Sequence, residues 1–218
     1  MMSLRLARRL IQHHFPIGAA TVIAGYILYA TRPYPDVLTR LSFSSAYPAL
    51  ILIAATLFIG PFKLLLGERL PASMDLRRDV GIWAGITGLF HTVVGQCVHL
   101  RGRPWLYYIY ENWQRKHFLP MRYDLFGLAN YSGLIAALIL LALLATSNDA
   151  SLRKLSTPGW KQLQRWNYAI FVLTAIHTFT YQVGIEKPQL PFVMTAIAAI
   201  TTSLILQWIG YRRRRTSN

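Results

Sequence analysis

Acidic residues are scarce in this chain. Only 8 Asp+Glu stand against 23 Lys+Arg in 218 residues, and all charged types together reach 14%. A soluble domain usually carries roughly 25%, so the composition argues against an ordinary soluble enzyme. A single cysteine excludes a disulfide framework, an iron–sulfur cluster and a Cys-based zinc site. G-x-G-x-x-G is absent, as is any stretch large enough to hold NAD or FAD in a soluble domain of its own. There is no internal repeat, and the only low-complexity tract is Arg212–Arg215. What the chain has in abundance is apolar residues, 54% of the total. That excludes disorder and points to one polytopic membrane domain covering 1–218.

Six apolar spans stand out, at about 15–31, 46–66, 79–98, 126–145, 167–184 and 190–211. Each is near the ~20 residues a helix needs to cross ~30 Å of hydrocarbon. Lipid offers the backbone no hydrogen bonds, so spans of this length are expected to be helices. Alternating barrel-strand patterning is missing. The expected fold is therefore all-α, an integral membrane bundle of six transmembrane helices. The first span follows Arg5, Arg8 and Arg9, as a signal peptide would. It is long for such a segment and lacks a small-x-small site before Arg32, so a retained first helix is expected.

Charge sets the expected orientation. With both termini inside, the inner segments hold Arg5, Arg8, Arg9, Lys63, Arg69, Arg77, Arg78, Arg153, Lys154, Lys161, Arg165 and Arg212–Arg215. The outer segments hold only Arg32, Arg40, Arg101, Arg103, Arg115, Lys116, Arg122 and Lys187. The positive-inside rule favours cytoplasmic termini, in a bacterial inner membrane. The net charge of +15 is read as orientation in lipid, with no nucleic-acid partner.

One loop differs from the rest. Residues 101–124, RGRPWLYYIYENWQRKHFLPMRYD, crowd Trp105, Tyr107, Tyr108, Tyr110, Trp113, Phe118 and Tyr123 together. They read as an aromatic belt in the outer interface, as a docking surface, or as both.

Of six histidines, His91 and His177 fall well inside hydrocarbon. His91 lies about twelve residues into the third span and His177 ten to twelve into the fifth. Both helices run from inside to outside in this topology, so both imidazoles are expected roughly 15–18 Å above the inner boundary. Ionisable residues at such depth are functional candidates. Matched depth is what two ligands of one metal require, and two imidazoles from facing helices can hold a porphyrin iron axially. Hydrogen bonding between helices is the alternative. Gly88 and Gly95 share the face of His91. Their missing side chains would let a flat macrocycle approach, or would let helices pack closely, as Gly81 and Gly85 also would. His99 should lie at the outer surface beside Arg101 and Arg103. Those arginines either pair with haem propionates or face water. His117 is expected in the interface, and His13 and His14 are expected to snorkel or face water.

RRDVGIWAGITGLFH (77–91) and the W-x-Q-L-x(13)-H pattern of WKQLQRWNYAIFVLTAIH (160–177) together resemble the ferric-reductase-like transmembrane family. Within it, the similarity is to the branch of haem-binding membrane subunits of periplasmic methionine sulfoxide reductase systems. It covers roughly residues 45–210 and rests mainly on Arg77, Arg78, Gly81, Trp83, His91, Trp160, Leu163 and His177. The resemblance implies a six-helix b-type cytochrome with His91 and His177 as the metal ligands. It also implies a donor, either a cytoplasmic flavin or flavin reductase or a quinol, and an outer-face acceptor, either a redox partner protein or a metal ion such as ferric iron. The family often carries a further histidine thirteen residues before the one on the fifth helix, and here that position is Gln164. One haem b is therefore expected, with FMN, FAD or a quinone as the candidate inner group. Arg77, Arg78, Gln164 and Arg165 are the candidate contacts for that group or for a reductase, and orientation charge is the other reading of the arginines.

The expectation is thus a haem b-binding electron-transfer protein. It would be an oxidoreductase component, working either as a partner's subunit or as a single-haem metalloreductase. The alternative is a haem-free or haem-silent subunit that anchors a partner complex through 101–124. A transporter fits poorly, because the spans lack acidic relay residues and paired interrupted helices.

Overall fold

A computed structural model describes residues 4–66, 74–185 and 190–216. Arg69 and Lys187 lie outside the described residues, as do the side chains of Arg5, Arg101, Arg214 and Arg215. The architecture is all-α. Helix α1 joins Leu4–Arg9 through a π-helical turn, Leu10–His14, to Phe15–Thr31. It is followed by α2 (Val37–Leu66), α3 (Met74–Val98), α4 (Leu125–Ala145), α5 (Asp149–Gln164), α6 (Asn167–Phe179, extended by a π-helical turn Thr180–Ile185) and α7 (Leu190–Thr216). Six stretches are long and apolar enough to cross a membrane, the fifth lying within the helical run Asp149–Ile185. Six crossings return the chain to the side where it began. Both ends therefore share one face, the terminal face, and residues 99–124 cover the opposite, loop face.

Helices start where the sequence supplies acceptors for their unpaired N–H groups. Asp36 accepts from Thr39 N (2.7 Å) ahead of α2, Asp124 from Gly127 N (2.7 Å) at α4 and Asn148 from Ser151 N (2.8 Å) at α5. Several helices outrun their apolar cores. Helix α2 begins at Val37, nine residues before the expected span, because its serines are satisfied inside the helix: Ser45 Oγ donates to the Leu41 carbonyl at 2.7 Å. Helix α5 is broken at Ser156 (φ 58°), two residues ahead of Pro158. It is pinned to the terminal face by Trp160, whose indole N–H donates to the Thr146 carbonyl at 3.1 Å.

Helix α2 is the central post. Its Ile53, Ala54 and Leu57 form the core with Ala84 of α3, Leu140 and Leu143 of α4, and Ile170 and Phe171 of α6. Lipid tails are as apolar as these side chains, so close packing and buried hydrogen bonds must hold the helices together. Gly85 and Gly88 supply the closeness, because an added β-carbon would meet Leu144 at 3.1 Å or Leu140 at 2.6 Å across the α3–α4 contact. Asn167 donates to the Thr56 hydroxyl, and Gln207 of α7 donates to the Leu57 carbonyl at 2.6 Å. Helix α1 is peripheral; its one buried residue in Phe15–Thr31, Gly18, receives the ring of Trp83.

The loop face is ordered by backbone pairing. Tyr110 N donates to the Pro120 carbonyl and Arg122 N to the Tyr108 carbonyl, both at 2.8 Å, around an antiparallel bridge between Ile109 and Met121. Tyr107 and Tyr110 are buried, while Trp105, Phe118 and Tyr123 are exposed. The aromatic crowd therefore splits into an inner packed half and an outer half open to its surroundings.

Candidate functional site

His91 on α3 and His177 on α6 face each other with ring centres 6.1 Å apart and planes at 78°. A backbone carbonyl on a further helix orients each ring. His91 Nδ1–H donates to the Ser42 carbonyl of α2 at 2.9 Å, and His177 Nδ1–H donates to the Ala129 carbonyl of α4 at 2.8 Å. A carbonyl oxygen can only accept, so both Nδ1 atoms carry the proton and both Nε2 atoms keep a lone pair. The two carbonyls are alike in a second way. Each also accepts a serine hydroxyl from its own helix, Ser45 at 3.0 Å and Ser132 at 2.9 Å. Metal-binding histidines are held in this manner, with the second nitrogen tied to a carbonyl that fixes tautomer and ring orientation.

Gly133 completes the seat of His177. A β-carbon there would lie 2.6 Å from Nδ1 and 2.9 Å from Cε1. Its one signal in the sequence is a glycine within the apolar stretch of its helix.

The pair lines a cavity of about 180 Å³ between α2, α3, α4 and α6. That is more than ten times the ~10–15 Å³ one water needs, so the space suits a larger guest. Gly88 and Gly95 both line it. A β-carbon on Gly95 would make an ordinary contact with Ser42 Oγ at 3.7 Å, whereas Gly88 also serves the α3–α4 contact. His99 stands exposed at the mouth, with its backbone N–H donating to the Tyr107 hydroxyl at 2.8 Å. Tyr181 flanks His177 at 5.0 Å between ring centres and donates to Asn130 at 3.0 Å.

Two imidazoles bonded through nitrogen on opposite sides of one metal at ~2.0–2.1 Å have ring centres roughly 6 Å apart, and the observed pair meets that condition. Among the described residues no cluster of three or more His, Cys, Asp or Glu exists.

The arginines expected nearby are engaged elsewhere or outside view. Arg103 pairs with Glu111 at 2.6 Å and is not among the residues lining the cavity. The Arg101 side chain lies outside the described residues. At the terminal face, Arg78 is buried and its guanidinium is taken up by Asp149 (2.5 Å) and Asp75 (3.7 Å). Arg77 and Arg165 are exposed. The Gln164 amide nitrogen is buried without a hydrogen-bond partner among the described residues. No hydrogen bond joins these four residues to one another.

Sequence reasoning missed one cluster. His13 and His14 do not simply face water; they turn onto Asp79 of α3, a carboxylate with no exposure at all. His13 Nδ1–H donates to it at 2.8 Å, His14 Nε2 lies 3.2 Å from its other oxygen, and Arg9 donates to both oxygens. The signal was present, since Arg9 and His13 are four residues apart and so share a helix face. Nothing in the sequence said which helix that face would meet.

A facing pair of part-buried imidazoles in a six-span bundle defines a class that comparison makes explicit. The chain belongs to the ferric-reductase-like transmembrane family, matching its description, "Ferric reductase like transmembrane component", over residues 39–175. It is similar to the protein-methionine-sulfoxide reductase heme-binding subunit MsrQ of Cronobacter sakazakii, at 31% identity over 77% of this chain and 72% of that one. The MsrQ proteins of Pectobacterium atrosepticum (30%, over 77% of this chain and 73% of that one) and Bordetella pertussis (27%, over 83% and 77%) are similar as well. No solved structure matches the chain with significance.

Proposed function

We propose that this chain is a membrane electron-transfer subunit holding one haem b between His91 and His177. The reading rests on a single observation: two facing imidazoles at 6.1 Å, each with its proton fixed on the nitrogen that a backbone carbonyl holds. The similarity to subunits named as heme-binding supports it. Haem supplies a one-electron iron couple when bound. The protein's own part is to position and to enclose. His91 and His177 would hold the group through their Nε2 atoms, the nitrogens that keep a lone pair. Ser42 and Ala129 hold the rings in register, Gly133 leaves room for the His177 ring, and the surrounding apolar helices exclude water.

The terminal face would be cytoplasmic, supported by its share of the basic residues, and the membrane would be a bacterial inner membrane. Electrons would enter from a flavin, a flavin reductase or a quinol on the terminal side. They would leave to a redox partner or metal ion at the loop face, on whose side the cavity mouth at His99 lies. The whole chain would act as one domain and as an oxidoreductase component.

A reduced-minus-oxidised spectrum with a pyridine-haemochrome count on detergent-purified protein tests this reading. About one b haem per chain is expected, with its Soret band gone in His91→Ala and in His177→Ala. A normal spectrum in both variants overturns it.

A further inference from the structure

The end of α7 carries residues that neither the histidine pair nor its cavity uses. At about 100° per residue, Leu204, Ile205, Trp208, Tyr211 and Arg212 fall on one face of the helix. Their exposure follows that register. Leu204 is 61% exposed, Ile205 51%, Trp208 56% and Tyr211 56%, and Arg212 is exposed as well. The opposite face is the packed one: Ser203 and Leu206 are buried, and a β-carbon on Gly210 would meet Pro61 of α2 at 3.5 Å. The five residues therefore look away from the bundle. On a helix long and apolar enough to cross a membrane, what lies on that side is lipid.

This face changes character along its length as a phospholipid does. Leu204 and Ile205 are aliphatic and suit acyl chains. Trp208 and Tyr211 are of the aromatic types that gather at headgroup level. Arg212 opens the run Arg212–Arg215, and α7 stays helical to Thr216. The Arg212 guanidinium lies over the Trp208 ring, 4.5 Å from its centre. Such stacking is favourable in itself and leaves the N–H donors at the guanidinium edge open. Among the described residues Arg212 has no hydrogen-bond or ion-pair partner. Arg213 turns the other way and reaches the Leu65 carbonyl near the end of α2 at 3.5 Å. The described acids of the terminal face are taken up elsewhere, Asp79 by Arg9 and both Asp75 and Asp149 by Arg78. Glu68 lies outside the described residues, and one such acid leaves a run of four arginines in surplus.

We propose that this face of α7 binds an anionic phospholipid of the leaflet on the terminal side, with the phosphate on Arg212 and the chains along Leu204 and Ile205. A guanidinium with its edge open matches the two free oxygens of a phosphodiester. Because the stack already holds the side chain, little of its freedom is lost on binding. A zwitterionic lipid offers the same phosphate but brings its own cation, so it leaves the surplus charge unbalanced. Orientation in the membrane would be served by arginines anywhere on this side. It does not call for one stacked on an exposed tryptophan above an aliphatic strip. The site is independent of the haem reading.

The test uses the full-length protein in a neutral detergent, titrated with brominated phosphatidylglycerol or brominated phosphatidylcholine. Bromine quenches nearby tryptophan, and the part of the quenching that is lost in Trp208→Leu reports lipid beside Trp208. Half-saturation should need several-fold less phosphatidylglycerol than phosphatidylcholine. Arg212→Gln should raise the phosphatidylglycerol requirement about fivefold, the factor that ~1 kcal/mol for one basic residue at an anionic surface represents. Arg153→Gln removes the same charge from an exposed position on α5 and should leave the requirement unchanged. Equal half-saturation by the two lipids overturns the proposal. Equal shifts in the two arginine variants overturn it too, by reducing the effect to overall charge. Displacement of the quencher by inorganic phosphate would assign Arg212 to a free anion and also overturn it. The headgroup preference is read on the unsubstituted protein, so it decides the matter even where a variant fails to fold.

Discussion

Gly133 and His177 are matched by shape. The imidazole lies against the helix backbone at a position where a β-carbon would come within 2.6 Å of its Nδ1. That nitrogen is the one held by the Ala129 carbonyl, one helical turn earlier on the same helix. A methyl group there would push the ring away from its acceptor and from its partner histidine together.

Gly133→Ala should therefore lower haem content at least tenfold while the protein still inserts and purifies. Gly95→Ala, whose methyl would make only an ordinary contact with Ser42 Oγ (3.7 Å) and touch neither imidazole, should keep more than half. Pyridine-haemochrome counts on both variants check the contrast. Equal retention would show that the seat of His177 is softer than its geometry states.

At the loop face, Gly127 is the tight position. A β-carbon there would lie 2.7 Å from the Arg122 carbonyl oxygen, a backbone atom that cannot swing aside. Overpacking of this kind costs about 1–3 kcal/mol. Gly127→Ala should lower the thermal midpoint in detergent without altering the spectrum of the protein as first heated. An unchanged midpoint would mean that the turn into α4 relaxes freely.

The hydrogen bond from Asn167 to Thr56 ties α6 to α2 beside the core. Asn167→Leu would leave the buried Thr56 hydroxyl without this donor. That hydroxyl still has the Ile53 carbonyl at 2.7 Å as its own acceptor, so the loss should fall near the lower end of the ~1–3 kcal/mol penalty for such groups. Chemical denaturation in mixed micelles measures it, and a stabilised variant would contradict the account.

Tyr107, outside the spans, is almost fully enclosed. Burial raises its phenol above the ordinary 10.0, against the smaller opposing effect of the His99 N–H bond. The folded state thus favours the neutral phenol. The stability this contributes is complete below pH 10 and is lost as pH rises through the raised value. Alkaline titration should loosen the loop face before the bundle, seen as early proteolysis near 99–124. Tyr107→Phe should show less of this alkaline sensitivity, at the expense of the bonds to His99 N and the Gly95 carbonyl.

Helix number and type were legible because length and hydropathy alone decide them in lipid. Boundaries were less so. Polar residues that bond within their own helix, such as Ser45, look like loop residues to a hydropathy reading. The His91–His177 pair was legible because two ionisable residues at one depth are rare. Its supports were not. Ser42 and Ala129 act through carbonyls, which every residue has, and only the packing of α2 on α3 and of α4 on α6 selects them. The fate of His13 and His14 was hidden for the same reason, since it depends on α1 lying against Asp79. Arg103, expected to reach a propionate or face water, is open to water and pairs there with the exposed Glu111.

The histidine pair draws on four helices at once, with α6 supplying His177 late in the chain. Until synthesis has passed that helix, the nascent protein offers His91 a carbonyl but no opposite number. On the haem reading, metal capture at this site would have to wait until α6 has joined the bundle. A ribosome stalled before α6 would leave an inserted membrane protein that is colourless.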